Sequence, residues 1–314
     1  MSAVALSSLG VLGAEGPEAG TFLQAQLSAD ILALAVGEAC PAAWCSATGR
    51  VLASFIVLRI EQGYLLVLDA QIAADVQKRM SRYVLRAKLT LRDVSAQWSL
   101  SGWDEAGAGP ADCDLWHSSL AGQTRWLRLA DRHWLGFTSD DRPSDTGGAT
   151  SSQSEVRWRL AEIAQGRAWI GTATQDLYTP QMINLDLTGA VSFTKGCYPG
   201  QEIVARTHYL GKVKRRMLRV RANSGSAPVP GSVLEGLAAE PQGTGASESP
   251  RVELSGHIIN AASIAQGGWE GLAVMHGGVP HAGTRLRLAP DGPTVEIAEL
   301  PYVLEQPGKD RDTP

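Results

Sequence analysis

The sequence predicts an α+β protein in which antiparallel strands carry helices on one face, ending in a small β-rich unit. Three observations lead there. In the first 140 residues, helical-period stretches are interleaved with short strand runs joined by tight turns. A further helical stretch restarts the pattern after residue 154, and the segments after residue 250 are short, strand-like and punctuated by glycine.

Taken in order, the first element is a short helix over 18–27, with Phe22, Leu23 and Leu27 on one face. Strands follow at 44–46 and 51–60 around a Thr48-Gly49 turn, and at 64–69 after Gln62-Gly63. Ile72, Val76 and Met80 recur at i, i+4, i+8, which gives a helix from 71 to about 83; an alternating strand comes next at 88–94. Residues 140–154 (DDRPSDTGGATSSQS) can bury almost nothing and read as a long loop. Val156, Leu160 and Ile163 mark a helix over 155–164 that opens a second copy of the same texture. A second stretch rich in Gly, Ser, Ala and Pro, 223–250, reads as a linker and sets the expected domain division at 1–222 and 223–314. Strand-like runs at 271–276, 284–288 and 295–302 then predict a small terminal barrel or sandwich.

Composition narrows the class of function. The 314 residues carry 28 Lys+Arg against 32 Asp+Glu, a net charge of −4, and 44% hydrophobic residues, which describes an ordinary globular chain long enough for two or three domains. No run reaches the 18 or so apolar residues of a membrane span. The first basic residue is Arg50, so the apolar start lacks the basic region of a secretory or mitochondrial leader, and the expected location is the cytoplasm. Four cysteines in such a chain give no disulfide framework. Dinucleotide, P-loop, hydrolase-elbow and zinc-protease signatures are absent. Cys40 and Cys45 lack the third cysteine of a ferredoxin-type spacing, and Cys113 and His117 sit in a segment without helical character, so no metal site is expected.

One segment stands apart. Residues 195–221 (KGCYPGQEIVARTHYLGKVKRRMLRVR) carry eight basic residues and one acid, Glu202, within a chain that is acidic as a whole. Such a strip suits an anionic ligand or partner; alternatively, a strand over 214–221 turns its basic residues to solvent and Met217, Leu218 and Val220 inward. Pro199 is typical of a first helical turn, so 196–199 reads as the start of a helix running through Gln201, Glu202, Val204 and Ala205. Cys197 would then lie beside free backbone N–H groups with Lys195 nearby, and both favour thiolate over thiol. Burial in an apolar cavity would act the other way.

At these residues the chain resembles a known family. Lys195 to Glu202 closely matches the K-G-C-Y-x-G-Q-E signature of the YgfZ family, the folate-binding, iron–sulfur-related branch of proteins similar to the T-protein (aminomethyltransferase) of glycine cleavage. Pro180-Gln181, Asn184-Leu185, 189–193, 204–207, 49–52, 83–86 and 300–302 resemble the flanking family pattern, so the likeness runs from about residue 20 to 302. Where the family has F-L-Q-G-Q-x-T-N-D this chain reads FLQAQLSAD, keeping Gln26 and Asp30.

The resemblance implies a three-lobed T-protein-like fold: two ferredoxin-like α+β units, a C-terminal β-barrel and a central cavity for tetrahydrofolate or a one-carbon derivative. It implies an accessory protein for iron–sulfur cluster assembly or repair in client proteins, tRNA-thiolating enzymes among them. Cys197 would be the reactive thiol with Lys195 beside it; one thiol cannot hold a four-cysteine cluster without further ligands. By residue type, Arg206, Lys212 and Arg215 suit the folate carboxylates, and Gln181, Asn184, Gln201 and Glu202 suit the pterin edge, with Tyr198, Gln26 and Asp30 completing the expected site. Two rivals make different demands. A true one-carbon transferase needs a carboxylate near the reacting carbon, for which Asp30 is the candidate, and a direct RNA-binding module would use 212–221, where Tyr209 is the lone neighbouring aromatic. That lone aromatic argues against direct nucleic-acid binding.

Overall fold

The computed structural model describes residues 3–139, 151–211, 213–237, 252–276 and 285–304. Chain order runs β1 (Val4–Ala5), β2 (Leu9–Glu15), α1 (Ala19–Gln26), β3 (Ala39–Cys45), β4 (Val51–Ile60), β5 (Gly63–Asp69), α2 (Ala70–Ser81), β6 (Thr90–Asp93), β7 (Trp98–Asp104), β8 (Ser118–Ala121), β9 (Thr124–Ala130), β10 (His133–Ser139) and α3 (Ser151–Ala164). A long connection leads to α4 (Gln201–Leu210), followed by β11 (Arg215–Ala222), β12 (Val233–Leu237), β13 (Val252–Ser263), β14 (Trp269–His276), β15 (Arg285–Leu288) and β16 (Thr294–Ala298).

The first lobe is the sheet β3-β4-β5-β2-β6. Its strands β4 and β5 are almost continuously buried because both faces are covered, which is why they read as unbroken apolar runs rather than alternations. On one face, Phe22 and Leu23 of α1 and Ile72, Val76 and Met80 of α2 meet Leu12, Val57, Leu66 and Leu68. Asp69 caps α2 by accepting from the Gln71 N–H at 2.9 Å. On the other face, Val11, Ile56, Leu58, Leu65 and Val67 stack on Leu100, Leu127, Leu135 and Phe137 of a second sheet, β1-β7-β10-β9-β8. Trp158 of α3 lies over Gly102 of β7, where an added Cβ would sit 2.2 Å from the indole. β1 belongs to the second sheet and β2 to the first, so the start of the chain joins the two.

The third lobe is a closed barrel, β11-β14-β13-β12-β15-β16, filled by Leu218, Val220, Leu234, Ile258, Trp269, Met275, Leu286 and Val295. Of the two expected forms, barrel and sandwich, the barrel is present, and its closure leaves this sheet no free edge. A separate apolar cluster joins the lobes: Cys45 and Val51 of the first sheet, Ile163 of α3, Ile170, Tyr178, Ile183 and Val191 of the connection, Val204 of α4, and Met217, Ile259, Leu272 and Val274 on the barrel's outer wall.

Several local expectations change. β11, on the N-terminal side of the division expected at 222/223, is a barrel strand. Within the expected 140–154 loop, residues 140–150 lie outside the described residues, while 151–154 form the first turn of α3. Within the expected 223–250 linker, 233–237 form β12 and 238–250 lie outside the described residues. The strand expected at 44–46 begins at Ala39, because Pro41 is accommodated in β3 at the sheet's edge. Among the described residues, no helix is long and apolar enough to cross a membrane.

Candidate functional site

The segment carrying Cys197 is held from both sides. Lys195 is buried and its ammonium donates to the carbonyls of Leu27 (2.6 Å), Ala29 (3.0 Å) and Gln24. Those oxygens lie at and just beyond the C-terminus of α1, where orphan carbonyls and the negative end of the helix dipole favour a cation. Tyr198 is also buried, its ring 5.2 Å from Lys195 Nζ. Gly196 and Cys197, between these two anchors, are exposed.

Two expectations about Cys197 are overturned here. The helix begins at Gln201 with Gly200 as its cap, so Pro199 lies outside it and Cys197 stands three residues before the cap rather than among the first helical N–H groups. Gly200 takes φ 78°, and an added Cβ would lie 2.5 Å from Ser46 O and 2.6 Å from Gly49 Cα, so the β3–β4 turn sets where α4 starts. Lys195, in turn, spends its ammonium on the α1 carbonyls. Burial pulls its pKa down to about 8, with Asp30 and Cys40 acting in the opposite direction. Cys40, which the sequence gives no cationic neighbour, thus lies within reach of Lys195, though burial pushes its thiol up to about 12. Cys45 is pushed to about 12 by burial alone, and Cys113 is also buried. Cys197 is the exposed cysteine of the four.

Apart from Asp30, which acts on Lys195, the other sequence-predicted residues are spread over several elements. Gln181 Nε2 donates to Val204 O at 2.7 Å, and Asn184 Nδ2 donates to Met217 O at 2.8 Å; both side chains tie the connection to α4 and the barrel. Asp30 accepts from Gln24 Nε2 at 3.0 Å. Gln26 is half-buried, with its Oε1 unpartnered. Gln201 is half-buried at the start of α4, whereas Glu202 and Arg206 are exposed on it. Lys212 lies outside the described residues. The basic strip is also less free than its charge suggests. Arg216 is buried in a two-pronged pair with Asp186 (2.7 and 2.9 Å), and Arg219 pairs with Glu270 at 2.6 Å. Arg215 remains without an acidic partner among the described residues.

A different set of residues surrounds a cavity where the three lobes meet. It measures about 960 Å³ and is lined by Pro41 of the first lobe, Trp116, Leu129, Arg132 and His133 of the second, Arg157, Leu160 and Arg167 of α3 and its exit, and Arg219, Glu270 and Tyr302 from the barrel side. A second cavity of about 670 Å³ is lined by Ser7, Asp69, Trp158, Arg159, Trp169 and Asn260, and Arg167 lines both. Among the described residues, none of the sequence-predicted site residues lines either cavity.

A buried polar cluster stands between the two. Glu162 of α3 accepts from His133 Nε2 at 2.6 Å, from Trp169 Nε1 at 2.7 Å and from Arg167. Burial pushes the Glu162 carboxyl up, but Arg167 and the His133 and Trp169 hydrogen bonds outweigh it and hold the pKa below the ordinary carboxylate range. Arg167 also lies 5.2 Å from the Trp116 ring, and the buried His133 Nδ1 has no partner. The sequence does carry a signal for this cluster: Glu155, Trp158 and Glu162 share the face of α3 that also turns Ile163 inward, an acid-bearing face in a helix that must be buried.

No protein-family model matches the chain. It is 28% identical over 94% of its length to a tRNA-modifying protein YgfZ of Edwardsiella ictaluri, covering 90% of that protein. It is 30% identical over 68% of its length to a mitochondrial iron-sulfur cluster assembly factor IBA57 homolog of Pyricularia oryzae, covering 56% of that chain. The crystal structure of glycine cleavage system aminomethyltransferase T from Bartonella henselae superposes with a TM-score of 0.65 over 95% of this chain and 85% of the other, at 15% identity, which establishes the T-protein-like fold. Joined to the Lys195 to Glu202 segment and the three-lobed architecture, these comparisons show a chain similar over most of its length to tRNA-modifying proteins YgfZ and built on the T-protein-like fold.

Proposed function

We propose that this protein is a cytoplasmic, folate-binding accessory factor for the assembly or repair of iron–sulfur clusters in client enzymes, including enzymes that modify tRNA. The observation that carries the reading is Cys197: an exposed thiol on a short loop held between the buried anchors Lys195 and Tyr198. A soft sulfur presented at a fixed place suits a transient exchange with a client better than permanent storage of a cluster. The names of the similar proteins, one a tRNA-modifying protein and the other an iron-sulfur cluster assembly factor, support the same class of role.

The residues at the lobe junction fit a reduced folate. The cavity is of ligand size, and Trp116 and Leu160 give it apolar walls. Arg132 and Arg157 line it while remaining exposed, as carboxylates on a solvent-facing tail require. When bound, the folate supplies a reduced pterin able to carry a one-carbon unit; the chain's own residues bind and orient it. Titration calorimetry with tetrahydrofolate is expected to give micromolar affinity, about −8 kcal/mol, weakened about tenfold in Arg157→Ala. An absence of heat with protein at about 100 μM, far above that dissociation constant, would remove folate from the reading.

The thiol is tested separately. In a deletion strain, Cys197→Ser is expected to fold normally yet fail to restore client-enzyme activity under oxidative stress, while a variant with Cys40, Cys45 and Cys113 all replaced by Ala retains complementation. Full rescue by Cys197→Ser would reduce Cys197 to a surface residue.

A further inference from the structure

The barrel's outer wall carries a cationic row that neither cavity nor the Cys197 loop uses. Arg215 on β11 is registered directly opposite His276 on β14. His257 on β13 is registered against Val274, two residues from His276 and therefore on the same face, and the two imidazole centroids are 5.6 Å apart. Three adjacent strands thus bring one guanidinium and two imidazoles together, all of them half-buried. Nearby arginines of the same strand are neutralised: Arg216 by Asp186, and Arg219 and Arg221 by Glu270. Arg215, His257 and His276 have neither an acid nor a hydrogen-bond partner among the described residues.

The groups that act on His276 are all unfavourable to its charge. Burial comes first, then Arg215, then His257, and together they hold its pKa below the ordinary histidine value. Tyr178, on the connection packed over this wall, is a further unsatisfied group: it is 3% exposed, its hydroxyl has no partner, and Arg215 is the charge that acts on it. A guanidinium and two imidazoles gathered with no acidic partner among the described residues, beside a buried hydroxyl with no partner of its own, lack one component, an anion.

We propose that Arg215, His276 and His257 form a binding site for a phosphate group, with the Tyr178 hydroxyl within electrostatic reach behind it. A phosphate offers tetrahedrally arranged oxygens to donors approaching from three strands, whereas a carboxylate offers two oxygens in one plane and suits a single two-pronged arginine. Binding favours imidazolium, so occupancy falls as pH rises through the histidine range. None of the three residues lines the lobe-junction cavity, so this site is independent of the folate reading.

The test follows the imidazole resonances of the full chain by NMR during titration with inorganic phosphate at low salt. At pH 6, saturable shifts at His257 and His276 are expected, with the His276 pKa raised by about one unit on saturation. Affinity should fall about threefold between pH 6 and pH 8, and about tenfold in Arg215→Gln and in His276→Gln. Adenosine 5′-monophosphate separates the sources: equal affinity points to a free phosphate, and tighter binding to a nucleotide-borne one. Non-saturable shifts, an unmoved His276 pKa, equal binding of glutamate, or unchanged binding in folded Arg215→Gln and His276→Gln would each overturn the proposal.

Discussion

Arg167→Ala is expected to lower stability by about 3–5 kcal/mol, measured by urea unfolding at neutral pH. Glu162 is buried, and Arg167 is the strongest of the influences holding its carboxyl in the charged form. Truncating the arginine leaves that carboxylate in a desolvated site with only His133 and Trp169 as donors. Replacing both members, as in Glu162→Leu with Arg167→Leu, should recover most of the loss, since removing the pair also removes its desolvation cost. The pH dependence has a defined sign. The folded-state pKa of Glu162 lies below its unfolded value, so its contribution is complete above the ordinary carboxylate range and is lost as pH falls through the depressed value. In Arg167→Ala, burial prevails and the carboxyl titrates higher, so the gap between variant and wild type should narrow on acidification. A gap that stays constant between pH 7 and pH 4 would contradict this account.

Gly200→Ala should be comparably damaging, by about 2–5 kcal/mol when left-handed strain and overpacking are combined. The φ of 78° disfavours any side chain, and the atoms an added methyl would meet belong to the backbone of Ser46 and Gly49, which cannot rotate away. The β3–β4 turn and the start of α4 would have to separate. Limited proteolysis of the variant should therefore cut first around 196–200, while the barrel resists. Wild-type unfolding and cleavage patterns in Gly200→Ala would mean that the turn yields more easily than its geometry implies.

The sequence made legible those elements whose apolar periodicity answers to a single neighbour. α1, α2 and β4 to β6 are close to their expected positions because each has one partner layer or an unbroken apolar run. Strand β2 was hidden because Gly10 and Gly13 interrupt its pattern, at places where Ala73, Ser95 and Val94 pack closely against the strand. The second sheet was hidden by its tryptophans and arginines, which half-bury and blur the alternation in β7 and β9. At the candidate site, the local signature identified the loop that presents Cys197, but it could not show that Lys195 turns back to α1. Nor could residue types alone reveal that Gln181 and Asn184 serve as struts. The Glu162 cluster draws on β10, α3 and the start of the connection, and only the fold brings these together.

The closed barrel also has a consequence for the order in which the protein takes shape. Its seam joins Arg219 of β11 to Ala298 of β16, so the strand following α4 must wait for nearly the whole remaining chain before its second edge is paired. Loop-closure entropy makes contacts of such separation late ones. On the ribosome, the Lys195 clasp on α1 can form well before that seam does, so the thiol-bearing loop would be seated on the first lobe while β11 still offers an open edge. Completion of the third lobe would then pair that edge and withdraw it from strand addition.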